Sequence, residues 1–526
     1  MKYIIHLFFV IISSLFIYIN LKEPTFQEKL FLKICEENKD NNIMISPFSI
    51  YQVLAILSNG AGEEEQKEIL EILVSKEEID NDNEILDKIN KNFEKIFSSL
   101  SDLNNEQLST DTLSKQEGED NPHNKKIQTI GEIVLHKKTQ SEPTYNESLI
   151  FDNVNALFLH KSLSVEKTFE PTCEAYKTSI QELINVSQIN EFVYNKTRGK
   201  IAEVIEKLDS NTAFILINVV YFKGYWIEPF NQNKTTKRLF ENNDNSLVEV
   251  DTMYNIYKDI KYYEDGNIQM IELPYISRKR SFKMVIILPN KSKFSSSFEY
   301  MKTENINFNE LISKMKITDN IVHLYLPKFE MDFNQELEEI LKKMGMVNSF
   351  SCGALSKMFG NNAGNIGIDK IIHKTYIKVD EEGSEAAAVT AVIGLFGDAK
   401  EPKEYYMHVN HSFIYTILSD DIKDHNGNYL IPFIGVINKL EGSIINYKST
   451  DNDSNNKDNI KINGNEITNN TNSNISNTTN ILNNSYINDT ITTGANNSNN
   501  VFENDKSDIN KINLLYIILI IMVFIN

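Results

Sequence analysis

The chain has 526 residues, 41% apolar and 24% charged, enough to bury at least one large core. Its formal net charge of −20 argues against a nucleic-acid binder, which needs clustered cations to neutralise phosphates. Three distant cysteines, Cys35, Cys173 and Cys352, give neither a disulfide framework nor zinc spacing; three buried thiols are expected, with closure of one pair in an oxidising compartment as the alternative.

Met1-Lys2 is followed by an apolar run, Tyr3 to Ile19, broken only by one histidine and two serines. This fits a secretory signal peptide over 1–20; without a small-x-small site near Asn20 to Glu23, an uncleaved anchor is the other reading. The apolar material for a folded domain then extends over 24–447. Ser46-Pro47 opens a capped helix, Phe48 to Leu57, that is apolar on almost every side and ends at Gly60 and Gly62. Glu63 to Leu73 continues as an amphipathic helix with Ile69, Leu70 and Leu73 on one face. Residues 101–147 are polar and acidic with few apolar positions before Ile127, and read as a disordered surface insertion.

Strands are predicted at Phe214–Phe222, Phe282–Leu288, Ile321–Leu326, Tyr376–Val379, Ser412–Leu418 and Phe433–Ile437, each rich in Ile, Val, Tyr or Phe and bounded by breakers. Helices come early and strands late, which indicates an α+β fold rather than repeating βα units. Past Val379 the chain reads Asp380-Glu381-Glu382-Gly383-Ser384-Glu385-Ala386-Ala387-Ala388-Val389-Thr390, then Ala391 to Gly397 with no charge and no proline. By propensity Ser384 caps a short Ala-rich helix. With period two, however, Ser384, Ala386, Ala388, Thr390, Val392 and Gly394 form one face of small or β-branched residues, as a strand slid between two others over a core requires. The segment suits both an exposed loop and a central strand.

After the domain, 448–510 is a polar stalk in which Asn fills 19 of the 50 positions from 451 to 500. Such a composition cannot bury enough surface to offset ordering entropy, so disorder is expected. Its seven Asn-x-Ser/Thr sequons exceed the roughly five that this composition gives by chance, a slight sign of glycosylation. Residues 511–526 end in a 12-residue apolar run, Leu514 to Ile525, short for a bilayer span; it fits a glycolipid-anchor signal or a degenerate membrane tail. No GxSxG, HExxH, P-loop or GxGxxG stands in a suitable context, so neither an enzyme nor a cofactor or metal site is expected.

Eight blocks in order carry a family resemblance: Asn42-Ile43-Met44-Ile45-Ser46-Pro47-Phe48-Ser49-Ile50, Asn195-Lys196-Thr197-Arg198-Gly199-Lys200-Ile201, Asn218-Val219-Val220-Tyr221-Phe222-Lys223-Gly224-Tyr225-Trp226, Leu326-Pro327-Lys328-Phe329, Ile372-His373-Lys374-Thr375, the segment from Glu381 to Thr390, Val409-Asn410-His411-Ser412-Phe413-Ile414, and Phe433-Ile434-Gly435. Together they resemble the serpins. The resemblance implies helices packed on a large mixed β-sheet with smaller sheets, and a hinge and reactive-centre loop over 381–406. It also implies a monomer that traps a serine endopeptidase, or a papain-like cysteine one, as a covalent acyl complex while the cut loop inserts into the sheet. By position, Glu381, Glu382, Gly383, Ser384, Glu385, Ala386, Ala387, Ala388, Val389 and Thr390 correspond to the hinge. Ser46, Ser49, Asn218 and His373 resemble the polar cluster under the sheet, and Trp226, Lys328 and Glu381 the loop's entry point, with an ion pair expected between Lys328 and Glu381. Counting from Gly383 puts the scissile bond at Gly397–Asp398; Phe396, Leu395 or Lys400 are alternatives by side-chain chemistry. The chain departs from the family at Phe192, where tryptophan is common, and in a longer segment from Asp398 to Val409. The acidic insertion argues against heparin-like ligands. The implied location is secreted or extracellular, with cell-surface attachment through the tail as an extension. A non-inhibitory surface glycoprotein, acting as carrier, chaperone or adhesin, is the alternative.

Overall fold

The computed structural model describes residues 24–75, 78–79, 84–104, 149–277, 281–383, 402–444, 459–462 and 465–468. The signal-peptide, tail and scissile-bond readings and most of the insertion and stalk lie outside them. Three helices open the fold: α1 (Phe26–Glu37), α2 (Pro47–Gly60) and α3 (Glu63–Leu73), followed by a 20-residue α4 (Ile85–Asn104). Ser46 caps α2, its hydroxyl accepting from the Ser49 N–H at 3.3 Å. This helix is buried on nearly every side, as its sequence requires, and packs against β4 (Phe214–Lys223) and β16 (Tyr429–Ile437). Helix α4 extends to Asn104, four residues into the stretch read as insertion, because the spacing of Ile89, Phe93 and Ile96 keeps one face on the core.

Three sheets follow. A seven-stranded sheet runs β1 (Ile43–Ile45), β16, β15 (Phe413–Lys423), β9 (Phe282–Pro289), β8 (Ile268–Pro274), β7 (Ile260–Glu264) and β10 (Lys316–Thr318). A five-stranded sheet is built from β14 (Glu404–His408), β11 (Ile321–Pro327), β6 (Leu247–Tyr257) and β17 (Ser443–Ile444), with β5 (Thr236–Glu241) also on β6. The other five-stranded sheet is mixed, in the order β12 (Phe329–Glu336), β13 (Lys370–Val379), β4, β2 (Ile150–Leu159) and β3 (Thr178–Glu182). Its central strands are buried on both faces. On β4, Phe214, Leu216, Val220 and Phe222 enter the main core, while Ile215, Ile217 and Val219 meet a second cluster with Ile189 and Val193 of the helix Val186–Lys196. Asn218 is the one polar residue inside that run, on the main-core face.

Several expectations shift. The strand read as Tyr376–Val379 begins at Lys370, since His373, Lys374 and Thr375 conceal its apolar pattern. Strand β2 escapes the sequence reading because Asp152, Asn153 and Asn155 interrupt it. Cys35 and Cys173 are buried, but Cys352 is exposed in a turn, correcting the reading of three buried thiols. All three are free. In the stalk, Asn459–Ile462 and Asn465–Thr468 form a separate two-stranded ladder where disorder was expected. The intervening sequence is Asn463-Gly464, the strongest short hairpin signal, flanked by alternating isoleucines. Among the described residues no helix is long and apolar enough to cross a membrane.

Gly435 lies where three strands crowd together, opposite Met44 and Tyr415. A Cβ there would stand 2.5 Å from the Tyr415 ring and 2.6 Å from the Ile43 carbonyl oxygen. Gly435→Ala is expected to cost about 2 kcal/mol or more and lower the thermal midpoint by a few degrees at fixed scan rate. An unchanged midpoint would show that this packing relaxes freely.

Candidate functional site

The centre of the mixed sheet is a parallel seam. Strands β4 and β13 run side by side in the same direction, paired from Ile215 with Lys370 to Tyr221 with Tyr376. Midway, His373 stands opposite Asn218, and Asn218 opposite Asn155 of β2; Gln335 of β12 and Thr178 of β3 complete a row of five polar partners across the sheet. Partners in register share a face, so the row aims its inner members at the start of α2.

There the polar groups close on one another. The Ser46 N–H donates to His373 Nε2 at 3.0 Å, which fixes that nitrogen as an acceptor. The other ring nitrogen therefore carries the proton, and Nδ1–H donates to Asn218 Oδ1 at 2.5 Å. The Asn218 amide in turn donates to Ser49 Oγ and to Asn155 Oδ1, the latter at 2.6 Å. The Ser49 hydroxyl donates to Asn153 Oδ1 at 2.6 Å, and the chain continues from the Asn153 amide to Gln52 Oε1 at 2.7 Å and from the Gln52 amide to the Tyr176 carbonyl at 2.6 Å. Ser46, Ser49, Gln52, Asn155, Asn218 and His373 are all buried. Complete burial pushes the His373 imidazolium down to a pKa of about 3, so the ring is neutral, as the accepting Nε2 demands. Besides its backbone ladder, the seam is thus bridged by an imidazole–amide contact above a satisfied polar network.

Ser46, Ser49, Asn218 and His373 are brought together here. Asn153, Asn155 and Gln52 belong to the same network and were missed. Asn153 and Asn155, two apart on one strand face, are the signal that was available.

At the end of β13 the chain turns sharply. Asp380 and Gly383 exchange backbone bonds of 3.0 and 3.3 Å, and the turn is pinned to the segment after β4: the Trp226 N–H donates to the Glu382 carbonyl at 3.1 Å and the Phe230 N–H to the Glu381 carbonyl at 2.7 Å. The Trp226 indole N–H donates to the Asp380 carbonyl at 3.1 Å, while its ring stacks on Tyr275 at 4.5 Å. Gly383 sits at φ +128°, where a Cβ would meet the Gly224 carbonyl oxygen at 2.3 Å. Only glycine fits. The Glu381 side chain is 7% exposed and accepts from Thr235 Oγ1 at 2.7 Å and Lys328 Nζ at 2.9 Å. Burial alone would raise its pKa, but these two partners hold it below the usual carboxylate range. Trp226, Lys328, Glu381, Glu382 and Gly383 therefore meet at one point, where β13 ends. Ser384, Glu385, Ala386, Ala387, Ala388, Val389 and Thr390, with the scissile candidates Leu395, Phe396, Gly397, Asp398 and Lys400, lie outside the described residues.

Phe192, the departure from the family's usual tryptophan, meets Phe158 edge-on at 5.5 Å and so still covers the second cluster. Among the described residues no group of three or more His, Cys, Asp or Glu is placed to hold a metal.

The chain matches the family model described as Serpin (serine protease inhibitor) over residues 22–438. It is 35% identical to the leukocyte elastase inhibitor of Xenopus laevis over 256 residues, covering 47% of this chain and 64%, just under two thirds, of that protein. It is 28% identical to Serpin B3 of Homo sapiens over 393 residues, 72% of this chain and 90% of that one. The structure of human thyroxine-binding globulin complexed with thyroxine superposes with a TM-score of 0.58 at 23% identity, covering 79% and 96% of the two chains, a likeness of fold alone.

The histidine at the seam makes stability depend on pH with a defined sign. Its folded pKa, about 3, lies below the unfolded value of roughly 6.5, so its contribution is complete above the latter and declines as pH falls towards the former. The slope from this group is about 1.4 kcal/mol per pH unit. His373→Gln, which can still accept from Ser46 and donate to Asn218, is expected to flatten the fall in urea midpoint between pH 7 and pH 5. An identical fall in both proteins would place the titration elsewhere.

Proposed function

We propose, because the chain belongs to the serpin family, that it inhibits a serine endopeptidase, or a papain-like cysteine endopeptidase, by offering the segment after Gly383 as bait and then inserting it into the mixed sheet. The observation that supports this most is the direction of the strands. Since β4 and β13 are parallel neighbours and the turn Asp380–Gly383 reverses the chain at the end of β13, a strand made from 384 onward would run antiparallel to both. Insertion then exchanges one parallel ladder for two antiparallel ones, the more stable pairing per residue. A dozen additional ladder bonds at roughly 1 kcal/mol each supply on the order of 10 kcal/mol, comparable to a whole domain's stability.

The chemistry belongs to the protease. Its serine or cysteine attacks the carbonyl of the residue before the cut, the peptide C–N bond breaks, and the new amine leaves on the chain that continues into β14. The acyl bond stays on the 384 side. Insertion drags that side, with the protease attached, along the seam before water completes hydrolysis. Ser384, Ala386, Ala388 and Thr390 support the reading, because small or β-branched side chains on one face suit a strand entering above the His373–Asn218 network. By count the bond is Gly397–Asp398, with Phe396, Leu395 and Lys400 as alternatives. The N-terminal apolar run and the sequon-bearing stalk support action outside the cell, and the C-terminal apolar run supports attachment to a membrane surface.

Incubation with chymotrypsin-like, trypsin-like and papain-like proteases tests the reading. The expected product is an SDS-resistant 1:1 complex with one of them, and Ala388→Arg should turn that complex into simple cleavage. The nicked chain should melt about 10 °C or more above the intact one. Cleavage between 384 and 401 without any complex and without a higher midpoint would leave a non-inhibitory member of the family.

A further inference from the structure

Away from the seam, the starts of α1 and α2, the end of α3 and the tip of the β15–β16 hairpin enclose a cleft of about 590 Å³. Loop insertion makes no use of it. Its apolar wall contains Phe26, Phe48 and Tyr51. Phe26 and Tyr51 lie 5.7 Å apart by ring centroid, and the imidazole of His425 continues the wall parallel to Tyr51, at 6.3 Å and 2°. Aromatic faces of this kind attract cations.

Two polar atoms in cleft-lining residues are shielded from water and have no protein partner: Gln27 Oε1 and His425 Nε2. The Gln27 amide nitrogen already donates to the Tyr429 carbonyl at 3.4 Å, and His425 Nδ1 lies 3.3 Å from the Tyr51 hydroxyl. The amide oxygen can only accept, so it requires an N–H or O–H donor; when Nδ1–H donates to Tyr51, Nε2 is a second acceptor. Leaving such groups unpaired is costly, which is a reason to expect a ligand that pairs them.

Charge narrows the choice further. Glu78 and Asp424 line the same cleft. Beyond the larger effect of burial, both push the Tyr51 hydroxyl upward, so the potential at the aromatic wall is negative. Both carboxylates are occupied by neighbouring donors, Glu78 by Ser75 and Asp424 by Asn426 and Asn428, and act through their field rather than as direct ligands. Of the opposing cations, Lys29 is exposed at the rim and Lys88 is felt at His425.

The geometry points to a binding site for a primary organic ammonium ion with an apolar or aromatic body, its N–H groups on Gln27 Oε1 and His425 Nε2 and its charge against the rings of Tyr51 and Phe26. A quaternary ammonium suits the rings but leaves the amide oxygen unpaired. An anion is opposed by Glu78 and Asp424. The site does not depend on the inhibitory reading, and occupancy is independent of whether the loop is cut.

Isothermal titration of the full chain in phosphate buffer tests the assignment, with 2-phenylethylamine as probe against choline, 2-phenylethanol and phenylacetate. The amine is expected to bind saturably with a dissociation constant of about 1 mM or tighter, and each of the other three at least about tenfold more weakly. Gln27→Leu should weaken the amine about tenfold with little change in the thermal midpoint of the free chain, because losing the long 3.4 Å bond to the Tyr429 carbonyl is offset by removing an unpaired buried acceptor. Glu78→Gln, which removes one of the two lining carboxylate charges, should weaken it severalfold. Absence of saturable amine binding, equal binding of phenylacetate, or an affinity unchanged in both variants overturns the proposal.

Discussion

The contact on which the rest depends is the one between His373 and Asn218, across two parallel strands that share the middle of a sheet. A core of this size has apolar residues to spare, yet the sequence buries an imidazole, two serines, two asparagines and a glutamine beneath the seam. Buried polar groups are tolerated only when paired, and in this network nearly every donor and acceptor is. Had valine and leucine filled the same positions, the two strands would be welded by packing that has one good arrangement. Hydrogen bonds between short polar side chains can be re-formed with other partners, so if the strands part as proposed, a polar layer would make opening less costly than a welded apolar one.

A second constraint acts where β13 ends. The turn Asp380–Gly383 is held by backbone bonds to Trp226 and Phe230, by the indole of Trp226 and by the carboxylate of Glu381. A half-exposed lysine and a buried glutamate contribute little net stability as a pair, because desolvation of the carboxylate opposes the attraction. Their value here is positional. Lys328 follows β11 and begins the crossing into β12, and its own N–H donates to the Asp251 carbonyl of β6 at 2.9 Å. Glu381 thereby ties the turn after β13 to the sheet that carries β14.

How much of this was legible in the sequence follows from what each residue does. Helix α2 could be read because cap, proline and apolar run agree, and β4 because it is buried on both faces and only Asn218 breaks its run. Strands β2 and the first half of β13 could not, since the residues that serve the polar layer, Asn153, Asn155, His373 and Thr375, are those that erase the strand pattern. The same conflict hid the network's outer members. Gln52 looks like a chance polar residue on a buried helix until Asn153 stands opposite it at 2.7 Å. The exposed Cys352 was misread for a simpler reason: thiols are usually buried, although Gly353 beside it, at φ +94°, marks the turn that brings this one to the surface.

The row of register partners carries the argument one step further. Gln335, His373, Asn218, Asn155 and Thr178 lie on one line across five strands, so a new strand between β13 and β4 must set its own residue into that line. If the segment after Gly383 inserts as proposed, antiparallel pairing to both neighbours would let its backbone satisfy the ladder on each side, and one of its side chains would enter the row between His373 and Asn218. Any strand entering there would part His373 from Asn218; a bulky apolar group would then leave both unpaired, and a charge would be stranded. A small side chain leaves room for the imidazole and amide to find other partners nearby. On the proposed insertion, the polar layer and the alanines after Gly383, more than 160 residues from Asn218 in sequence, would answer one requirement.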